Sequence, residues 1–286
     1  MRQRVITGIL FTIGVLLFVV PSYWAPFIMV GFCLLVGAVS MVEMVKALRT
    51  GNIEPSKPLI IIGGLIGLAL ITISYFAHIE LAPSITLFIV ILMLYCLASA
   101  VVPSITHKDG LRVKEGIYTA CTVLYIVFPL YCLAAVTCLV ENGWFYMIPA
   151  LFAAWISDVC AYFSGVTLGK HKIVPHISPK KTWEGCIGGA LGCALIIMLY
   201  FDLVIVNVDN IRGNIVVISL LSFVVGFIMS VMSQLGDWLA SLIKRAVGIK
   251  DYGDIFPGHG GMIDRFDSTF FTIPTGILLV LFSMFV

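Results

Sequence analysis

Residues 215–243 read IVVISLLSFVVGFIMSVMSQLGDWLASLI, and residues 244–267 continue as KRAVGIKDYGDIFPGHGGMIDRFD. The first stretch carries one charged residue, Asp237, in 29 positions. About 20 apolar residues suffice for a helix to cross the hydrocarbon core of a bilayer. The second stretch carries Lys244, Arg245, Lys250, Arg265, several aspartates and His259. An apolar span that ends in such a cluster belongs to a polytopic membrane protein, with its chemistry gathered at one membrane surface between Ser241 and Asp267.

The rest of the chain agrees. Of its 286 residues 60% are hydrophobic and 11% charged, against about 25% charged in soluble domains. The net charge of +2 argues against nucleic acid as a partner; where the charges lie matters more than their sum. The eight cysteines lie in apolar runs without a CxxC pair, which speaks against a disulfide framework or zinc site and for small packing residues. Met1 to Val20 resembles a signal peptide in charge and hydropathy, but Pro21-Ser22-Tyr23-Trp24 is a poor cleavage site. It reads as a retained first span.

Nine stretches are apolar enough to span: 5–20, 27–45, 58–76, 81–102, 116–140, 144–168, 185–206, 215–243 and 268–286. Lysine and arginine accumulate in cytoplasmic loops. With nine spans, the N-terminus and the loops near 46–57, 103–115, 169–184 and 244–267 share one side and hold sixteen of the seventeen basic residues. The other side holds Arg212 with Glu80, Glu141, Asp202 and Asp209. The expected fold is therefore all-α, with a cytoplasmic N-terminus and the C-terminus opposite. Residues 1–140 read as scaffold spans, with Glu43 near a cytoplasmic end, and residues 141–286 as the catalytic region of one integral membrane unit.

Polar residues concentrate in that second part. Acidic groups within spans are costly and mark function by default, which singles out Asp158 and Asp237. Asp237, Ser241, Lys244 and Arg245 recur at offsets that share one helical face. The glycines around His259 suit a tight loop whose backbone N–H groups approach an anion. Asp264 and Asp267, three apart, fall on adjacent positions of a helical turn. Carboxylates beside phosphate-binding cations suit a hard divalent ion such as magnesium, which takes one or two carboxylates plus phosphate oxygens. The residues alone thus reach a magnesium-dependent, phosphate-handling enzyme at a membrane surface.

From Ser241 to Asp267 the chain resembles the signature of the phosphatidate cytidylyltransferases, also called CDP-diacylglycerol synthases. That pattern wants Ser-x-apolar-Lys-Arg, four residues, Lys-Asp, and later His-Gly-Gly-apolar-x-Asp-Arg-x-Asp, and every position is matched. Asp158-Val-Cys-Ala-Tyr162-Phe-Ser-Gly165 and Ser178-Pro-Lys-Lys-Thr-Trp-Glu-Gly185 are similar to two further family blocks. The resemblance implies transfer of CMP from CTP to phosphatidic acid, giving CDP-diacylglycerol and pyrophosphate in phospholipid biosynthesis. It also implies that Asp237 and Asp264 bind Mg2+, with one metal or two, or an added monovalent cation, left open. Lys244, Arg245, Lys250 and Arg265 would offset phosphate charge, Ser241 and His259 would position phosphate oxygens, and Asp267 completes the catalytic signature. Asp158 and Tyr162 would line the substrate cavity with Gly165. Ser178, Lys180, Lys181, Thr182 and Glu184 would contact nucleotide or lipid phosphate. The setting this implies is a bacterial plasma membrane with a cytoplasmic active face. A homodimer through the glycine-bearing N-terminal spans is an arrangement the sequence allows.

A transporter or channel is the main rival, since buried aspartates also mark ion pathways. Internal repeats with matching broken helices would favour it, and none is evident. A CDP-alcohol phosphotransferase would carry an Asp-Gly…Ala-Arg…Gly…Asp…Asp pattern, which is absent. A CTP-dependent lipid kinase would release CDP rather than pyrophosphate.

Overall fold

A computed structural model describes residues 2–106, 112–173 and 181–284, backbone only for residues 2–4. Its long helices are α1 (Arg2–Val19), α2 (Ile28–Thr50), α3 (Lys57–Phe76), α4 (Leu81–Thr106), α5 (Val113–Leu139), α6 (Gly143–Leu168), α7 (Trp183–Tyr200), α8 (Ile215–Ala246) and α9 (Thr269–Ser283). A π-helical stretch, Phe201–Ile205, extends α7, and a short turn, Ile263–Phe266, precedes α9. Among the described residues there are nine helices long and apolar enough to cross a membrane and no strand, only the isolated bridges Lys172–Thr182 and Phe256–Gly260. The protein is an all-helical integral membrane protein, as its hydropathy predicts. Several helices outrun the apolar runs that announce them, among them α2, which continues to Thr50, and α8, which continues to Ala246. The added turns carry Lys46, Arg49, Lys244 and Arg245, and cations at a helix C-terminus are favoured by its dipole.

The chain forms two compact units, residues 1–140 with 244–265, and residues 141–243 with 266–286. In the first unit α5 is the central helix, packed by α2, α3 and α4; 72% of its span is buried against 22% for α4. Glycines permit the close approach. A Cβ on Gly63 would lie 2.7 Å from Val123, and one on Gly67 2.7 Å from Val127. The hydroxyl of Tyr131 on α5 meets Ser84 of α4 at 2.6 Å, and Ser84 donates to Ser74 of α3. Outward-facing Leu17, Ile61, Leu65 and Leu97 stay exposed. Lipid accepts such surfaces, because its chains are as apolar as leucine.

In the second unit α6 packs closely on α7 and on α9. The glycines of the seventh span form its contact face. A Cβ on Gly189 would lie 2.8 Å from the Ala161 Cβ and 3.0 Å from the Ser157 carbonyl oxygen, and one on Gly192 2.7 Å from the Cys160 Sγ. Small residues at helix contacts are the usual device where lipid removes the hydrophobic drive. At the far end, Asn142 at the start of α6 donates to Asp209 at 2.8 Å, and the Tyr146 hydroxyl donates to the same carboxylate.

Gly189→Val should therefore lower the thermal unfolding midpoint of the detergent-purified protein, by about 1–3 kcal/mol of overpacking. Gly14→Ala, whose Cβ would have no neighbour within 4 Å, should leave the midpoint unchanged or slightly raised. Equal midpoints for Gly189→Val and the wild type would remove the α6–α7 glycine contact as a source of stability.

Candidate functional site

The signature segment folds around two buried carboxylates in the first unit. Asp264 sits in the turn before α9, its side chain 4% exposed. Its Oδ1 accepts from the Lys244 Nζ at 2.8 Å. Its Oδ2 accepts from the backbone N–H of Tyr252 at 2.8 Å and of Gly261 at 2.9 Å. The Lys244 ammonium, 13% exposed, also stands 5.5 Å over the Tyr252 ring, a cation–π contact. The second carboxylate is Glu43 of α2, itself buried. It accepts from the N–H groups of Met262 at 2.8 Å and Ile263 at 2.9 Å.

Glycine makes this possible. A Cβ on Gly261 would lie 2.5 Å from a Glu43 carboxylate oxygen and one on Gly253 2.6 Å, so neither place admits a side chain. Gly260 has φ +81° and faces Asp264, and Gly258 has φ +79°, the left-handed region that suits glycine. Between them the loop closes on itself: Phe256 N–H donates to Gly260 C=O at 3.0 Å and His259 N–H to Phe256 C=O at 2.8 Å. The loop rests on α1, where Phe11 meets Phe256 edge-on at 5.3 Å and the Thr7 hydroxyl donates to Pro257 C=O.

Two polar groups of this segment stay open. The His259 Nδ1 and the Arg265 Nε are buried with no hydrogen-bond partner among the described residues. Buried polar groups are nearly always partnered, and the described residues supply no partner to either. Arg245 and Lys250 are exposed. Ser241 lies on α8 one turn before Lys244 and is half-buried.

A second cluster lies within the second unit. Asp237 of α8, 32% exposed, pairs with the ammonium of Lys181, which also stands 5.5 Å over the Trp238 ring. Next to it, Gly236 lets the start of the last helix close in: a Cβ there would lie 2.9 Å from the Asp267 carbonyl oxygen and 3.1 Å from the Ser268 Cα. Asp267 is buried and its Oδ1 accepts from the Ser268 N–H at 2.7 Å. Thr182 caps α7, its hydroxyl accepting from the Gly185 N–H at 3.2 Å. Glu184 in the first turn of α7 bonds the His171 Nδ1 at 2.6 Å and accepts from its backbone N–H. Asp158 and Tyr162 are exposed on α6, Tyr162 at 66%. Gly165 faces α7, where a Cβ would lie 3.3 Å from the Thr182 hydroxyl. Ser178 and Lys180 lie outside the described residues.

Each cluster thus balances an aspartate with a lysine, Asp264 with Lys244 and Asp237 with Lys181. No group of three or more His, Cys, Asp or Glu side chains arranged to hold a metal occurs among the described residues. Sequence reading overlooks the loop-holding role of Glu43, Trp238 and the paired role of Lys181. For Glu43 a signal existed: it is an isolated carboxylate in an apolar span, the criterion that singles out Asp158 and Asp237.

Comparison with known proteins bears on the same residues. The model of the "Cytidylyltransferase family" matches residues 2–283. A phosphatidate cytidylyltransferase of Bacillus subtilis (strain 168) is 33% identical over 292 residues, covering 99% of each chain. The enzymes of that name from Staphylococcus aureus (strain COL) and Staphylococcus haemolyticus are 44% and 42% identical over 144 residues, 49% of this chain and 51% of each relative.

Removing the Glu43 carboxylate strands two buried N–H groups, each worth about 1–3 kcal/mol when left unsatisfied. Glu43→Ala should lower the unfolding midpoint and speed hydrogen exchange at Met262 and Ile263, while α6 and α7 keep wild-type protection. Unchanged exchange at those two amides would show that Glu43 does not hold the loop.

Proposed function

The chain belongs to the cytidylyltransferase family, and on that footing we propose that it joins CTP to phosphatidic acid, releasing pyrophosphate and CDP-diacylglycerol for phospholipid synthesis. What carries this reading is the state of the signature loop. Asp264 is already engaged by three of the protein's own donors, one fewer than a carboxylate can accept, so the other cations and open polar groups of the same segment are left for an incoming anion. Those are Arg245 and Lys250, which are exposed, and the unpartnered Nδ1 of His259 and Nε of Arg265.

A phosphate oxygen of the lipid attacks the α-phosphorus of CTP. The new P–O bond forms as the bond from the α-phosphorus to the bridging oxygen breaks, and the electron pair leaves with pyrophosphate. The attacking phosphate is ionised at neutral pH, so no general base is needed. Two polyanions must meet, and preorganised positive charge aimed at the phosphates is then the strongest help the protein can give. Lys244 and Lys181 hold their aspartates in the unliganded protein and are placed to offset phosphate charge. His259 and Arg265 donate to phosphate oxygens.

The donors at Asp237 and Asp264 are hard carboxylate oxygens, which fit magnesium. Magnesium commonly takes one or two carboxylates, with substrate phosphates and water completing its shell. On the family resemblance Asp237 and Asp264 would each serve as a magnesium ligand, whether to one ion or to two, and the metal would supply charge neutralisation at the phosphates. The sorting of basic residues supports a cytoplasmic active face, and the bacterial relatives support the plasma membrane as its setting.

Purified protein given labelled CTP, phosphatidic acid and magnesium should form CDP-diacylglycerol and pyrophosphate, and chelation should stop turnover until magnesium is restored. CDP in place of pyrophosphate, or no product from a folded preparation, would overturn the assignment. Asp237→Asn should lower turnover by about 100-fold or more with its unfolding midpoint kept, because that side chain is partly exposed. Asp264→Asn should lose turnover and stability together, since it weakens a buried charge pair. Near-normal turnover in Asp237→Asn would remove that residue from the metal site.

A further inference from the structure

The first unit contains a cavity of about 570 Å³ bounded by α2, α3 and α5, within the ~300–1,000 Å³ of ordinary ligand sites. Its walls are apolar, with Val30, Ala38, Ile61, Leu68 and Leu130 among them, and no acidic residue among the described ones lines it. At one end the lining changes to Lys46, Arg49 and Lys57. All three are exposed, and none is among the ion pairs found between described residues. From Val30 to Lys46 is sixteen residues of α2, about 24 Å at the helical rise. Given ~30 Å for the hydrocarbon of two leaflets, that length seats a glycerol backbone and most of one acyl chain.

We propose that this groove is a binding site for an anionic glycerophospholipid, its phosphate between Lys46, Arg49 and Lys57 and one acyl chain along α2, α3 and α5. Charge selects this occupant. A zwitterionic lipid brings its own cation along with its phosphate, so it neutralises none of the net charge of the three. A second copy of the chain, meeting this face through a two-fold axis along the membrane normal, would bring the same three cations against them. An anionic headgroup satisfies both the cations and the apolar wall. The site is separate from the residues assigned to catalysis, though α2 also carries Glu43, one turn before Lys46.

Binding rather than turnover is the test, so it stands apart from the assigned reaction. The protein, in phosphatidylcholine nanodiscs, is exposed to trace phosphatidylglycerol or phosphatidylcholine carrying a photoreactive diazirine on one acyl chain. The phosphatidylglycerol probe should label α2 and α3 between residues 30 and 71 and be displaced by unlabelled phosphatidylglycerol. The Lys46→Ala/Arg49→Ala/Lys57→Ala variant should lose about tenfold or more of that labelling, given three surface cations. Ala38→Phe, which keeps the cations and fills the groove, should lose it as well. Equal labelling by both probes with no effect of the triple variant would mean ordinary boundary lipid and overturn the proposal. So would an unlabelled groove in which Ala38→Cys cross-links two copies.

Discussion

A carboxylate buried at a membrane surface is tolerated only where donors surround it, and the active segment is organised by that demand. Asp264 collects an ammonium and two backbone N–H groups, drawing Lys244, Tyr252 and Gly261 to one point. Glu43 takes the next two N–H groups, those of Met262 and Ile263. Between them the two acids fix the backbone from Gly261 to Ile263, and glycine at Gly253, Gly260 and Gly261 follows from how closely the oxygens approach. The loop's conformation is thus an electrostatic consequence before it is a catalytic one.

The bilayer sets the other constraint. Helices satisfy their own backbone groups, which is why they span lipid, but lipid gives them little reason to associate. Association here comes from close fit: Gly63 and Gly67 against α5, and Gly189 and Gly192 against α6. Hydroxyl contacts add to it, as with Ser84 and Tyr131 or Ser157 and Ser230. These rigid helix pairs hold Asp237 and Lys181 in one unit and the signature loop on α1 and α2 in the other.

The pairing of each aspartate with a lysine has a chemical consequence. Within each pair the two charges balance. In the proposed reaction a phosphate would meet ammonium groups already held in place by those carboxylates. His259 and Arg265 extend this arrangement as open polar groups. The apolar groove of the first unit repeats the theme at the headgroup level, where three cations close an otherwise greasy channel.

Much was legible in the residues themselves. The nine spans follow from hydropathy, because twenty apolar residues have few other stable places to go. The signature from Ser241 to Asp267 and the importance of Asp237 follow from how rarely charge occurs in this chain. What pairs with what was not legible. Glu43 and Ile263 are 220 positions apart, and no local spacing joins them. Lys181 resembles any interfacial lysine until Asp237 and Trp238 stand beside it. The glycines of α7 have no evident purpose until α6 is packed against them. Composition and period determine which segments enter lipid, since that is settled segment by segment. Partners for buried charge, and the positions that must lack a side chain, are decided only when distant segments pack and desolvate one another.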